Sequence, residues 1–414
     1  MQPSRNVPRA SRPPVASSLC AKTNAGGTPA VRVLAAFVLQ ILVCAAWCGE
    51  DLKVLARDKD GHGLLCSSQG KTLLFLEGSP QQMGAAHGRL LGPRVSKSVS
   101  IYYYLVGGVY SMNKDAWFIT HLEEIEKRCA PFVPERFVAE CDALAEASGL
   151  PAKTLRLTNL IPEQFHCSGV AVCGKASKDG QILHARVLDY MADIGLQKQA
   201  LLTIFMPAGR NAWANVGYCG FVGSVTAMND KGLAIGEMGG AGQGDWDGTP
   251  MSYLVRDIAE RAAGVNEAIE LFQKAKRTCE YYYVLSDKSG NLAALRCTAS
   301  EVLVLHPGEQ HELLPPVPED TVFISGGDRA KELSKRLREQ HGKIGLQEMI
   351  ELLKRPVAMH SNLHNAIFAP ATLDVWFADA GKHSPACDQP YAHVNLREAI
   401  EFYKKEMAAP AAQQ

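Results

Sequence analysis

Four times after residue 167 the chain repeats one device, two short apolar runs joined through a tight polar turn. Ser168 to Cys173 and Gln181 to Leu188 meet across Lys178-Asp179-Gly180, and Ser224 to Met228 and Leu233 to Met238 meet across Asn229-Asp230-Lys231-Gly232. Tyr281 to Leu285 and Leu292 to Leu295 flank Asp287-Lys288-Ser289-Gly290, and Ala366 to Phe368 and Val375 to Ala378 flank Pro370 to Asp374. Runs of that length around Asp-Gly and Asn-Asp turns are hairpin signals. Helical spacing appears between them, over Met251 to Ala263, Asn266 to Lys276 and Gln347 to Leu353. Hairpins with helices between them predict an α+β sandwich, two antiparallel sheets inside and helical layers outside.

Upstream of residue 167 the texture differs. Pro80 to Tyr104, Asp115 to Cys129 and Pro134 to Ala147 carry apolar residues at three- and four-residue spacing, the last stopping at Ser148-Gly149. These predict helices. No short-period repeat, P-loop or dinucleotide fingerprint occurs. The glycines at 239, 240, 242 and 244 lack the following Lys-Ser/Thr of a phosphate cradle and read as a mobile loop.

Residues 1–29 are rich in Pro, Ser, Arg and small residues and read as a disordered n-region. Arg32 then precedes the apolar run Val33 to Trp47, broken by Gln40. That run is shorter than the roughly 20 residues a spanning helix needs, so it reads as a signal h-region, with an N-terminal anchor as the alternative. No stable membrane span is expected, and the chain reads as exported. Lys plus Arg and Asp plus Glu both number 43, which gives no basic footprint for nucleic acid. An exported chain can pair cysteines, and no C-x-x-C pair suggests zinc.

Chemistry concentrates at Cys167, which heads the first hairpin, while His184-Ala185-Arg186-Val187-Leu188-Asp189-Tyr190 closes it. A hairpin returns its second strand beside the start of the first, which places Arg186 and Asp189 alongside Cys167. A thiol near its free pKa of roughly 8.5 needs a base or a positive charge to become thiolate. If the bond after His166 is cut, Cys167 gains an α-amine of pKa roughly 7.7 to 8.0, a base for its own side chain. In this reading Asp189 orients the amine, while Arg186 lowers the thiol pKa and pins the carboxylate with its planar fork. Against it, a Cys opening an apolar strand is more often a buried small hydrophobe, and an Arg and Asp three apart are as often a surface pair. Composition and spacing alone leave function open.

Cys-Ser-Gly-Val-Ala at 167–171, followed by Arg186-Val187-Leu188-Asp189, resembles the signature of the cysteine N-terminal-nucleophile (Ntn) hydrolases. This group includes bile-salt hydrolase, penicillin V acylase, acid ceramidase and the isopenicillin N acyltransferases. The resemblance continues through Gly217-Tyr218-Cys219-Gly220-Phe221-Val222-Gly223, Ala227 to Leu233, Tyr283 to Gly290 and His364 to Pro370. Upstream, Glu77 to Gly88 and Asp142 to Asn159 are similar to the helical prosegment of the acyltransferase branch.

The resemblance implies a four-layer αββα sandwich over 167–414 and a helical prosegment over 49–166, which leaves 1–48 to the n-region and signal read from composition. It also implies cleavage or transfer at a non-peptide amide of a small-molecule acyl amide or acyl donor, without a cofactor. Cys167 would form a thioester, and maturation would proceed by attack on the carbonyl of His166. The chain departs from the bile-salt hydrolases where they carry two Asn residues, here aligned with Gly239 and Gly326. Oxyanion donors supply roughly 3 to 4 kcal/mol each, so backbone N–H groups would have to replace them, and glycine permits that close approach.

The departure motivates an alternative, a catalytically inactive exported binding protein on the same fold. A papain-like protease is a third reading, opposed by the lack of a Cys-Trp signature or suitably spaced His and Asn. His360 and His364 have a metal-like spacing but run into a strand, where it does not converge. Within Tyr281-Tyr282-Tyr283, alternate rings face opposite sides, and one face with Tyr218 and Phe221 is a candidate acyl pocket. The sequence does not set subunit number.

Overall fold

At the first hairpin, Asp179 and Gly180 both adopt positive φ, 59° and 72°, the left-handed geometry for which Asp-Gly is suited. The computed structural model of the chain describes residues 52–114, 117–160, 167–190, 194–240, 244–312 and 314–409. The n-region and signal segment, His166 and Gly242 lie outside the described residues.

The chain opens with β1 (Lys53–Arg57), β2 (Gly63–Ser68) and β3 (Lys71–Gly78), then α1 (Pro80–Ser100). Ser79 caps α1 in a capping box with Gln82, and Pro80 occupies the first turn, where its missing N–H costs nothing. The helix kinks at Leu91, two residues before Pro93. A π-helical turn (Ile101–Val106) follows, then α2 (Gly107–Lys114), α3 (Phe118–Cys129), α4 (Glu135–Ser148) and α5 (Ala152–Thr158). The expected three helices are present. The segment expected to be helical nevertheless begins with three strands.

After Cys167 come β4 (Ser168–Gly174), β5 (Gly180–Asp189), β6 (Ala200–Pro207), β7 (Trp213–Tyr218), β8 (Thr226–Asn229) and β9 (Leu233–Gly239). Helices α6 (Met251–Arg261) and α7 (Val265–Lys274) precede β10 (Tyr281–Asp287), β11 (Leu292–Cys297), β12 (Val302–Leu305) and β13 (Thr321–Ile324). The chain ends with α8 (Gly327–Gln340), α9 (Leu346–Leu353), β14 (Asn362–Ala369), β15 (Asp374–Asp379), β16 (Ala392–Asn395) and α10 (Leu396–Ala408).

Two sheets result, one of ten strands in the order β1-β2-β3-β6-β7-β8-β9-β10-β11-β12 and one of six in the order β13-β4-β5-β14-β15-β16. The neighbours are antiparallel as expected, with one exception: β3 runs parallel to β6, with Leu73 opposite Leu202 and Gly78 opposite Pro207. The strands before Cys167 therefore belong to the same sheet as strands after it.

The sheets pack face to face. A Cβ on Gly169 of β4 would sit 2.7 Å from Met238 Sδ of the opposing sheet, and one on Gly236 of β9 would sit 3.0 Å from Arg186 Cγ. Glycine at both points lets the sheets close and makes room for a large buried side chain. Alternation sends Val170, Val172, Leu183, Ala185 and Val187 to the outer face of the six-stranded sheet, where Ala330, Leu333 and Leu337 of α8 and Met349 and Leu352 of α9 cover them. Val255 and Ile258 of α6 and Phe272 of α7 pack on the ten-stranded sheet with Tyr283, Leu285 and Leu295. The arrangement is the four-layer αββα sandwich.

A buried charge cluster joins the upstream helices to this sandwich. Arg256 of α6 donates to both carboxylate oxygens of Glu140 in α4, at 2.9 and 2.6 Å, and to Glu260 at 2.8 Å. Its guanidinium lies 4.8 Å from the Phe137 ring centroid and 4.7 Å from that of Phe205. Removing one member of such a pair strands a buried charge. Glu140→Ala is expected to destabilise the uncut chain by about 3 to 5 kcal/mol, measured by urea denaturation.

Candidate active site

Residue 167 immediately precedes β4, and Gly169 opposite Arg186 fixes the hairpin register that brings the returning strand beside it. Cys167 is 5% exposed. Its side chain lines a cavity of about 240 Å³ together with Met238, Gly239, Tyr282, Ser325 and Gly326, and with a leucine wall that includes Leu295 and Leu303. Arg186 Nη2 donates to the Cys167 sulfur at 3.4 Å.

Arg186 is fully buried, and each of its nitrogens is engaged. Nε donates to the Glu237 carbonyl at 2.8 Å, Nη2 to the Glu237 carboxylate at 3.3 Å, and Nη1 to His364 Nε2 at 3.3 Å. A guanidinium cannot accept a hydrogen bond, so His364 Nε2 is the acceptor there and its proton is on Nδ1, which donates to Tyr218 Oη at 3.0 Å. Thr226 Oγ1 also lies 3.1 Å from Nε2. Burial first and Arg186 second hold the His364 pKa well below the usual histidine range. His364 is therefore the neutral base of a buried polar chain running from Tyr218 to the sulfur.

Asp189 sits elsewhere. Strand alternation turns it to the face opposite Arg186, toward α8, where Arg329 Nη2 pairs with one of its oxygens and the Met359 N–H donates to the other at 3.0 Å. The expectation that Arg186 pins the Asp189 carboxylate is corrected here: the ion pair belongs to Arg329, through Nη2, because residues three apart on a strand point to opposite faces. Arg329 also donates to Ser168 Oγ at 2.9 Å, and Ser168 Oγ contacts Ser325 Oγ at 2.7 Å. Asp189 thus reaches the residue next to Cys167 through one guanidinium. Burial holds its carboxyl above the ordinary value, opposed by the Arg329 charge, the Met359 N–H and Arg186.

Gly239 and Gly326, the two positions aligned with the missing Asn residues, both line the Cys167 cavity. Gly326 is the N-cap of α8, so N–H groups of that helix's first turn, which lack intrahelical acceptors, stand at the cavity wall. Tyr218 does not line this cavity. It borders a separate one with Phe221, Tyr190 and Leu363, so the acyl pocket expected from Tyr218 and Phe221 is not the space at the sulfur. Tyr282 alone of the three consecutive tyrosines reaches the Cys167 cavity, while Tyr283 packs on Phe272.

His360 is exposed and bonded to Arg355, whereas His364 is buried 0% exposed between the sheets, so the two do not converge. All nine described cysteines are free thiols. Sequence reasoning missed Glu237 and Arg329 and left His364 as structural. Glu237 had a signal, a lone acid within the apolar run Leu233 to Met238. Arg329 had none, since its partner is 140 residues away.

Residues 177–308 match the family model described as acyl-coenzyme A:6-aminopenicillanic acid acyl-transferase. The family resemblance read from the motifs is thus recovered over a span that holds Arg186, Asp189, Tyr218 and Gly239; it begins after Cys167 and ends before Gly326. Protein dcd1B of Dictyostelium discoideum is 24% identical over 277 residues, 61% of this chain and 55% of that protein. Protein dcd1A of the same organism is 25% identical over 289 residues, 61% of this chain and 65% of its own. The chain therefore spans between half and two thirds of the length of these curated relatives. Among solved structures, the N-acylethanolamine-hydrolyzing acid amidase ortholog of Caenorhabditis elegans aligns at 16% identity and a TM-score of 0.41, over 50% of this chain and 93% of that one. Penicillin V acylase from Agrobacterium tumefaciens aligns at 13% identity and a TM-score of 0.37, over 56% and 86%.

The buried imidazoles give a pH expectation. Burial pushes His184, which bonds Ser286 Oγ at 2.9 Å through Nδ1, down to about 3. Its folded pKa lies below its unfolded value near 6.5, so the unfolded chain binds the extra proton between these limits. Stability is complete above pH about 6.5 and falls toward pH 3 by about 1.4 kcal/mol per pH unit for this group. His184→Asn, which retains an amide group at the Nδ1 position, is expected to flatten the slope by that amount in urea titrations at pH 6.5, 5.5 and 4.5.

Proposed function

We propose that this chain is a cysteine amidohydrolase or acyltransferase that cuts itself between His166 and Cys167 and then acts on a small-molecule acyl amide. The observation that carries the reading is the Cys167 sulfur at the wall of a cavity, with a buried guanidinium donating to it. A cation at that distance favours thiolate over thiol. After the cut, the α-amine of Cys167 takes the thiol proton, the sulfur attacks the acyl carbon, and the amine returns the proton to the leaving nitrogen. Water or an acceptor amine then resolves the thioester.

Roles for the surrounding groups follow from their contacts. Glu237 and His364 hold Arg186 on the sulfur. Asp189 and Arg329 position the start of β4 through Ser168. The N–H groups at Gly239 and at the first turn of α8 are the candidate oxyanion donors in place of the absent Asn side chains. The leucines of the cavity suit an apolar acyl group. Export rests on the Val33 to Trp47 run alone.

The second reading, an exported binding protein, is favoured by the glycines at 239 and 326, and the same experiment separates the two. The purified chain is sequenced from its N-terminus and treated with a reactive acyl donor under intact-mass detection. The enzyme reading expects a chain starting at Cys167 and a thioester on that chain, both absent in Cys167→Ala. A single uncut chain that takes no label supports the binding protein. Asp189→Asn is expected to fold but to slow cleavage and acyl transfer by about a hundredfold, the cost of a small misplacement of reacting groups. Full activity in Asp189→Asn would refute the positioning role.

A further inference from the structure

Away from Cys167, a polar cleft of about 280 Å³ opens where β3 and β6 of the larger sheet come beside β15 of the smaller. Its cations come from both sides of residue 167: Lys71 on β3 and Arg94 on α1 precede it, and Lys198 follows it. One carboxylate, Asp379, lies among them and pairs with Lys71 Nζ at 2.8 Å. Arg94 is held by neutral oxygens only, Thr72 Oγ1 at 3.0 Å and the Lys198 and Ala200 carbonyls at 3.1 Å each. Among the described residues it has no ion pair. Three cations against one carboxylate leave a local formal charge of +2 in a recess, and Arg94 is fixed before any ligand arrives.

We propose that this cleft binds a small oxyanion of the phosphate type and so bridges the segments before and after Cys167. The charge of Arg94 and the N–H groups that Thr72, Lys198 and Ala200 leave unoccupied suit such an anion, and Lys198 lines the same cleft. The alternative is a structural cluster in which Asp379 satisfies Lys71 and the Thr72, Lys198 and Ala200 oxygens satisfy Arg94. Burial raises the Asp379 carboxyl, with Lys71 and Arg94 opposing, which agrees with cations held close around one partly desolvated acid.

The test is calorimetric titration of the full chain with inorganic phosphate, against chloride at matched ionic strength. Glycerol phosphate is titrated in parallel, to separate a free anion from one carried on a larger molecule. Saturable uptake of one phosphate per chain is expected, weakened about tenfold or more in Arg94→Gln and retained in Cys167→Ala. Phosphate uptake that chloride reproduces, or that Arg94→Gln leaves intact, overturns the proposal. Lys198→Glu, a change on an exposed side chain, keeps the test readable if Arg94→Gln does not fold: weaker uptake supports the site, and unchanged uptake overturns it.

Discussion

The site is organised around one buried cation. Arg186 enters the space between two sheets, where an unpaired charge is untenable, so its N–H donors require acceptors on both its own sheet and the facing one. Glu237 supplies a carboxylate and a carbonyl, His364 a neutral ring nitrogen, and Cys167 its sulfur. Moving Glu237 leaves a charge uncompensated, and moving the ring nitrogen or the sulfur leaves a buried donor unsatisfied, so the sulfur is held by contacts that also join the sheets. The side chain's bulk in turn requires glycine opposite it at 236.

The two faces of the six-stranded sheet have different tasks. The inner face presents the sulfur to the cavity and buries the guanidinium that donates to it, while the outer face ties Asp189, Ser168 and Ser325 to Arg329 of α8. The same helix begins at the cavity wall with Gly326 and Gly327, so one element sets both the carboxylate network behind Cys167 and the N–H groups in front of it. That economy explains how a chain without Asn at these two positions can still present donors to the cavity.

Much of this was legible in the sequence, for identifiable reasons. The hairpins were, because Asp-Gly and Asp-Lys-Ser-Gly turns leave few alternatives and register then follows from strand length. The proximity of Arg186 to Cys167 was, because pairing across a hairpin is local. The pairing of Asp189 was misread because proximity along a strand was taken without the alternation of its faces. The strands before Pro80 were missed although Asp58-Lys59-Asp60-Gly61 and Gln69-Gly70 are turns of the same kind: β1, β2 and β3 pair locally as antiparallel neighbours, and only β3 takes a distant partner, β6. Glu237, Arg329 and His364 depend on contacts between strands and helices far apart in the chain, which no local pattern encodes.

The parallel seam between β3 and β6 has a thermodynamic consequence. Six backbone pairings from Leu73 to Gly78 hold a piece that precedes Cys167 to a piece that follows it, and the Glu140–Arg256 pair adds a second attachment. If the peptide bond behind His166 is severed, the folded unit consists of two polypeptides sharing one sheet. Its unfolding then releases two independent molecules rather than one, so the melting midpoint acquires a dependence on protein concentration that the uncut precursor lacks.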